Sequence, residues 1–99
     1  MNETAIKNAI IRTEVRFAEQ TEFKYTLTLS ESKGVSSFRL PLYSITVESL
    51  STLNGDRRAY TAENLFADER KAEEFFDLSV SGLATPIDFP SIVEDMLRK

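Results

Sequence analysis

Histidine, cysteine and tryptophan are absent from this 99-residue chain, and glycine and proline occur only three times each. Without histidine or cysteine, the usual general base, the thiol nucleophile and the common zinc, haem and iron–sulfur ligand sets are excluded. With no cysteine there is no disulfide framework, which favours a reducing compartment. Three glycines are too few for a glycine-rich phosphate cradle. No apolar run approaches the ~18–20 residues that a membrane-spanning helix needs. The start Met1-Asn2-Glu3-Thr4 has neither a basic region nor an apolar one, so no secretory signal is expected and a cytoplasmic location is.

Hydrophobic residues make up 41% of the chain and charged residues 28%, the balance of an ordinary globular protein. At 11.2 kDa, area scaling buries about two thirds of the unfolded surface, enough for one core. The whole chain, 1–99, is therefore expected to be one domain, with residues 1–8 preceding its ordered part. The net charge is −4 and unevenly spread. Residues 1–62 hold eight basic and seven acidic side chains, whereas 63–99 hold four and nine.

Four segments read as strands. Ile11, Thr13, Val15 and Phe17 alternate with Arg12, Glu14 and Arg16, and Phe23, Tyr25, Leu27 and Leu29 with Lys24, Thr26 and Thr28. Period two predicts half-buried strands with the apolar sets inward. After a polar connector around Gly34, the apolar parity changes between Phe38-Leu40-Leu42 and Tyr43-Ile45-Val47, next to Pro41. A bulge near Leu42 would account for the change. Asn54-Gly55 predicts a two-residue type I′ hairpin. That register opposes Leu53 to Asp56, Val47 to Ala62, Ile45 to Asn64 and Tyr43 to Phe66, with Asn64 the one misfit.

From Asp68 onward the period becomes helical. Ala72, Phe75, Phe76, Ser79, Val80 and Leu83 form a stripe behind an Asp68 cap, and Gly82 is placed to end it. A second helix starts at Asp88, with Ile87 and Ile92 spaced as a hydrophobic staple. Strands grouped before helices predict an α+β fold: a four-stranded antiparallel, meander-like sheet with two C-terminal helices packed on one face. The expected core is Val15, Phe17, Tyr25, Leu27, Ile45, Val47, Phe75, Phe76, Ile92, Val93 and Met96.

Catalysis would rest on carboxylates, tyrosine or lysine. Glu69, Glu73 and Asp77 share a helix face at a spacing that could hold Mg²⁺ or Ca²⁺, but a charged helix face is ordinarily a solvated one. No catalytic residue, metal or cofactor is expected, and the chain reads as a non-enzyme. Arg12, Arg16 and Lys24 form a candidate basic face for nucleic acid. The inward aromatics and the acidic balance disfavour that reading. What remains is a small soluble non-catalytic module for protein interaction or regulation. The adjacent Phe75 and Phe76 motivate a contact patch of Phe76, Val80, Met96 and Leu97, for a protein partner or for a second copy in a homodimer.

The segment Tyr43-Ser44-Ile45-Thr46-Val47, the helix after it and the ending Thr85-Pro86-Ile87-Asp88 … Val93-Glu94-Asp95-Met96-Leu97 resemble a family of short bacterial proteins, clostridial in type. That family, of about a hundred residues, is known as a domain of unknown function. The likeness covers residues 40–97. It implies a stand-alone cytoplasmic protein and carries no functional residues across.

Overall fold

The computed structural model describes residues 7–33 and 39–98. Strands β1 (Lys7–Ala18), β2 (Thr21–Lys33), β3 (Arg39–Ser51) and β4 (Arg57–Phe66) precede helices α1 (Glu69–Ser81) and α2 (Phe89–Leu97). The strands form one antiparallel sheet in the order β1-β2-β3-β4. This is the α+β meander that the sequence predicts. β1 begins at Lys7, and residues 1–6 of the stretch 1–8 lie outside the described residues.

α1 lies across β2, β3 and β4, and α2 lies against β4. Tyr25, Leu27, Ile45, Val47, Phe76 and Phe89 are the largest fully buried side chains. Aromatic contacts tie the layers together: Phe75 stacks on Phe89 at 5.9 Å, while Phe66 meets Phe75 and Tyr60 meets Phe89 edge-on. The Tyr25 hydroxyl donates to the Ala84 carbonyl oxygen at 2.9 Å, anchoring the α1–α2 connector to the sheet centre. Burial holds the Tyr25 pKa above its ordinary value.

The turns depart from the sequence expectations. Within the loop that joins β3 to β4 only Gly55 has a positive φ, and Ser51 donates its N–H to the Asp56 carbonyl, which closes a four-residue loop over 52–55. Asn54 instead accepts the Asp56 N–H through Oδ1 at 2.9 Å. The register near the turn is therefore shifted by two, with Val47 opposite Tyr60 and Ile45 opposite Ala62. A bulge then restores Tyr43 opposite Phe66. Asn64, the misfit of the tight-turn register, sits in that bulge at φ 57 and gives its N–H to Ser44 Oγ. A shift of two keeps side chains on their face, so Tyr60, Ala62 and Phe66 still point inward.

No bulge occurs at Leu42. The β2–β3 ladder runs without a break through Pro41, and Leu42 faces away from the helices opposite Ser30. Beyond the Tyr43–Phe66 pair β4 has ended, so Pro41 sits where β3 has one neighbour and its missing donor breaks no bond to β4. Phe38 and the connector around Gly34 lie outside the described residues.

Asp68 caps α1 as expected, accepting the Arg70 N–H at 2.8 Å. The helix then closes by a Schellman pattern, with Ala84 N–H to the Ser79 carbonyl and Leu83 N–H to that of Val80. The left-handed residue is Leu83 at φ 52, not Gly82, which has φ −88. Asp88 precedes α2 but makes no side-chain cap bond, and Ile87 is exposed rather than stapled.

Non-glycine residues also fill the β1–β2 turn, where Glu19 and Gln20 have φ 49 and 62. Ala18 opposes Thr21, so this turn is a two-residue primed hairpin. A left-handed conformation costs a non-glycine residue about 1–2 kcal/mol, part of which glycine gives back through its freer unfolded chain. Gln20→Gly is expected to stabilise the fold by about 0.5–1 kcal/mol, a rise of roughly 3–6 °C in Tm. Leu83→Gly should act in the same direction but less, since it also removes apolar contact. Thermal melts check both, and a lowered Tm for Gln20→Gly contradicts the strain.

Candidate functional site

The decisive feature lies in β1. Its ladder with β2 shifts between Ile10 and Arg12. From there Arg12 opposes Leu27, Glu14 opposes Tyr25 and Arg16 opposes Phe23. Opposed residues share a face. The charged set therefore points to the helix side, and Thr13, Val15 and Phe17 point outward, the reverse of the sequence expectation. Val15 is 40% exposed and Phe17 70%, so neither belongs to the core. The one-residue insertion reverses the alternation at Ile10-Ile11. Ile11 packs against the core, while Ile10 opposes Thr28 on the outer face and is 69% exposed.

Arg12 supplies the physical reason. Its guanidinium sits 4.9 Å over the Phe76 ring centroid. It donates to Asp77 Oδ1 at 2.8 Å, to Glu73 Oε1 at 3.3 Å and to Glu14 Oε2 at 3.3 Å. Arg16 donates to the other Glu14 oxygen at 3.1 Å. A long side chain with an apolar stem and a charged head suits this position, because α1 lies over the other three strands. Burial alone would weaken the Arg12 charge, but the bonds to Asp77, Glu14 and Glu73 outweigh it and raise its pKa. Hydrogen bonds from Arg16 and then Arg12 hold Glu14 below the ordinary 4.5.

The candidate basic face is thereby divided. Arg12 and Arg16 lie on the helix side, bound to carboxylates, and Lys24 lies on the other side opposite Glu48. They form no common surface. Of the carboxylates considered for a metal, Glu73 and Asp77 are taken up by Arg12. Among the described residues no group of three or more Asp or Glu is placed to hold a metal ion.

The candidate contact patch is also revised. Phe76 is fully buried, Val80 is 6% exposed, and Met96 packs partly buried against the core. Only Leu97, at 62%, is exposed. Phe75 and Phe76 both fit beneath α1 because one flanks the aromatic cluster and the other lies under Arg12.

The surface that remains is the sheet face away from the helices. Thr13, Thr26, Thr46 and Thr61 form a continuous row across all four strands, and the last two share a 2.9 Å hydroxyl contact. On one side of the row lie Lys24, Glu48, Glu22 and Arg57, which with Leu50 and Ala59 line a shallow cavity of about 410 Å³. At the β1 edge lie Ile10, Val15 and Phe17. Sequence reasoning missed this trio because alternation alone leaves the choice of face free. The Ile10-Ile11 doublet, which alternation cannot explain, was the available signal.

Fold and face define a small α+β domain with one covered and one open sheet face, and with no helix long and apolar enough to cross a membrane among the described residues. Residues 6–99 match a family of unknown function (DUF6514), and the chain belongs to that family. No curated protein and no solved structure matches it.

The Arg12 contact generates a prediction. In a double-mutant cycle of Arg12→Ala and Asp77→Ala, a coupling of about 0.5–1 kcal/mol is expected at low salt, falling as salt screens the partly exposed pair. Zero coupling contradicts the contact. Glu14 binds its proton less readily in the folded chain than in the unfolded one, so its stabilising effect is present above about pH 4.5 and lost as pH falls through the folded value. Denaturant titrations from pH 7 to 3 should show Glu14→Gln less acid-sensitive than the parent chain.

Proposed function

We propose that this protein is a non-catalytic interaction or regulatory module of the cytoplasm, which binds protein through the outer face of β1 and the sheet beside it. The observation that carries this reading is the trio Ile10, Val15 and Phe17, exposed on one face of one strand while their neighbours Arg12 and Glu14 turn inward. Large apolar side chains exposed together on a largely polar sheet face mark a contact surface. The residue inventory supports the non-catalytic part: it offers neither histidine nor cysteine, and the carboxylates of Glu14, Glu73 and Asp77 are engaged by Arg12 and Arg16. The absence of cysteine supports a reducing compartment.

A photo-crosslinking residue placed at Phe17, with one at the equally exposed Leu53 as reference, tests the surface in cells. Discrete heavier products are expected from position 17 and not from position 53. Phe17→Lys should leave Tm within about 4 °C, as exposed substitutions do. Equal products from the two positions, or none from position 17, overturn the reading.

A further inference from the structure

We infer that the partner at β1 is a second copy of this chain, paired antiparallel along the edge of that strand that has no neighbour among the described residues, about a two-fold axis at Val15, to give one continuous eight-stranded sheet. This rests on the reading of β1 as the contact surface and names its occupant.

The two edges of the sheet differ. β4 is interrupted by the Asn64 bulge, and its neighbours at the open end are Arg57 and Arg58. β1 has its irregularity at Ile10–Arg12, after which Arg12–Ala18 runs seven residues in unbroken register with β2. A regular edge strand presents unpaired backbone donors and acceptors that template another strand. A two-fold axis normal to the sheet makes that pairing antiparallel and keeps both helix layers on the same side.

Charge selects the register. Centring the axis on Glu14 would oppose Glu14 to its own copy and Arg12 to Arg16, and centring on Arg16 would oppose two arginines. Centring on Thr13 or Phe17 leaves three regular residues before the bulge or the Glu19-Gln20 turn. The axis at Val15 sets Glu14 against Arg16 of the second copy, twice, and leaves no like charges opposed. Opposite charges across strands favour a pairing that like charges disfavour. On the outer face the same register brings Val15 against Val15 and Phe17 against Thr13. Phe17 also lies diagonal to Val15, so the exposed side chains of both copies become one apolar stripe. Within each chain Arg16 already bonds to Glu14 at 3.1 Å, so both groups are positioned for exchange across the seam.

A seven-residue seam is at the small end of specific interfaces, so the dimer should be concentration-dependent. Sedimentation velocity at low salt from about 5 to 500 μM is expected to show the mass rising from 11.2 kDa toward twice that value. Glu14→Arg, which sets two arginines against each other, should weaken association at least tenfold, and Glu14→Arg with Arg16→Glu should restore it to within about threefold. Hydrogen exchange on the unmodified chain gives a readout that needs no folded variant: amides of 12–18 should gain protection with concentration while those of 57–62 do not. A constant 11.2 kDa mass, a dimer indifferent to Glu14→Arg, a double variant that fails to re-associate though folded, or protection gained at 57–62 instead overturns the inference. A monomeric chain that still yields position-17 products with another protein would leave the contact-surface reading standing and remove the second copy.

Discussion

The position of one guanidinium fixes the orientation of the first strand. Arg12 lies over the Phe76 ring and between Asp77, Glu73 and Glu14, joining β1 to a helix whose body lies over the other strands. An exposed ion pair is worth little by itself. Here the stem also covers an aromatic ring, and the three acceptors converge on one group. Because side chains alternate along a strand, turning Arg12 inward turns Thr13, Val15 and Phe17 outward. The contact surface follows from the contact that closes the core.

The lengths of the elements make this arrangement necessary. Strands of 12 and 13 residues span roughly 40 Å, whereas α1, of 13 residues, spans about 20 Å and α2, of nine, about 14 Å. The helices cover the middle of one face and leave the other open. Phe76 and Phe89 fill the covered centre, and Tyr25 fastens the interhelix connector through Ala84. On the open face, threonine is a sound choice: β-branched, suited to a strand, and able to satisfy a neighbour such as Thr46 with Thr61.

Element order, antiparallel pairing and most of the core were legible from periodicity, because Tyr25, Leu27, Ile45 and Val47 alternate with polar residues and Ala72, Phe75, Phe76 and Val80 recur at helical spacing. Turn details were less legible. Asn54-Gly55 carries a strong tight-turn signal, yet the loop takes four residues and Asn64 absorbs the difference; the sum of loop and bulge, not either alone, satisfies the Tyr43–Phe66 pairing. The candidate sites were least legible. Pointing the apolar residues of a strand inward is sound where a helix covers the strand and fails for β1, where α1 stops short and a long arginine bridges the gap. The Phe76–Val80 patch failed for the complementary reason, since a helix over the sheet centre buries both residues.

The phase of β1 is the central claim, and the natural absence of cysteine makes it directly measurable. A single Phe17→Cys thiol, labelled in native buffer at low protein concentration, should react within about threefold of the rate in denaturant, because its side chain stands in solvent. A buried thiol would react only through unfolding, slowed on the order of a thousandfold or more by the folding equilibrium. Protection of that size at position 17 would place Phe17 in the core, Arg12 in solvent, and contradict the account.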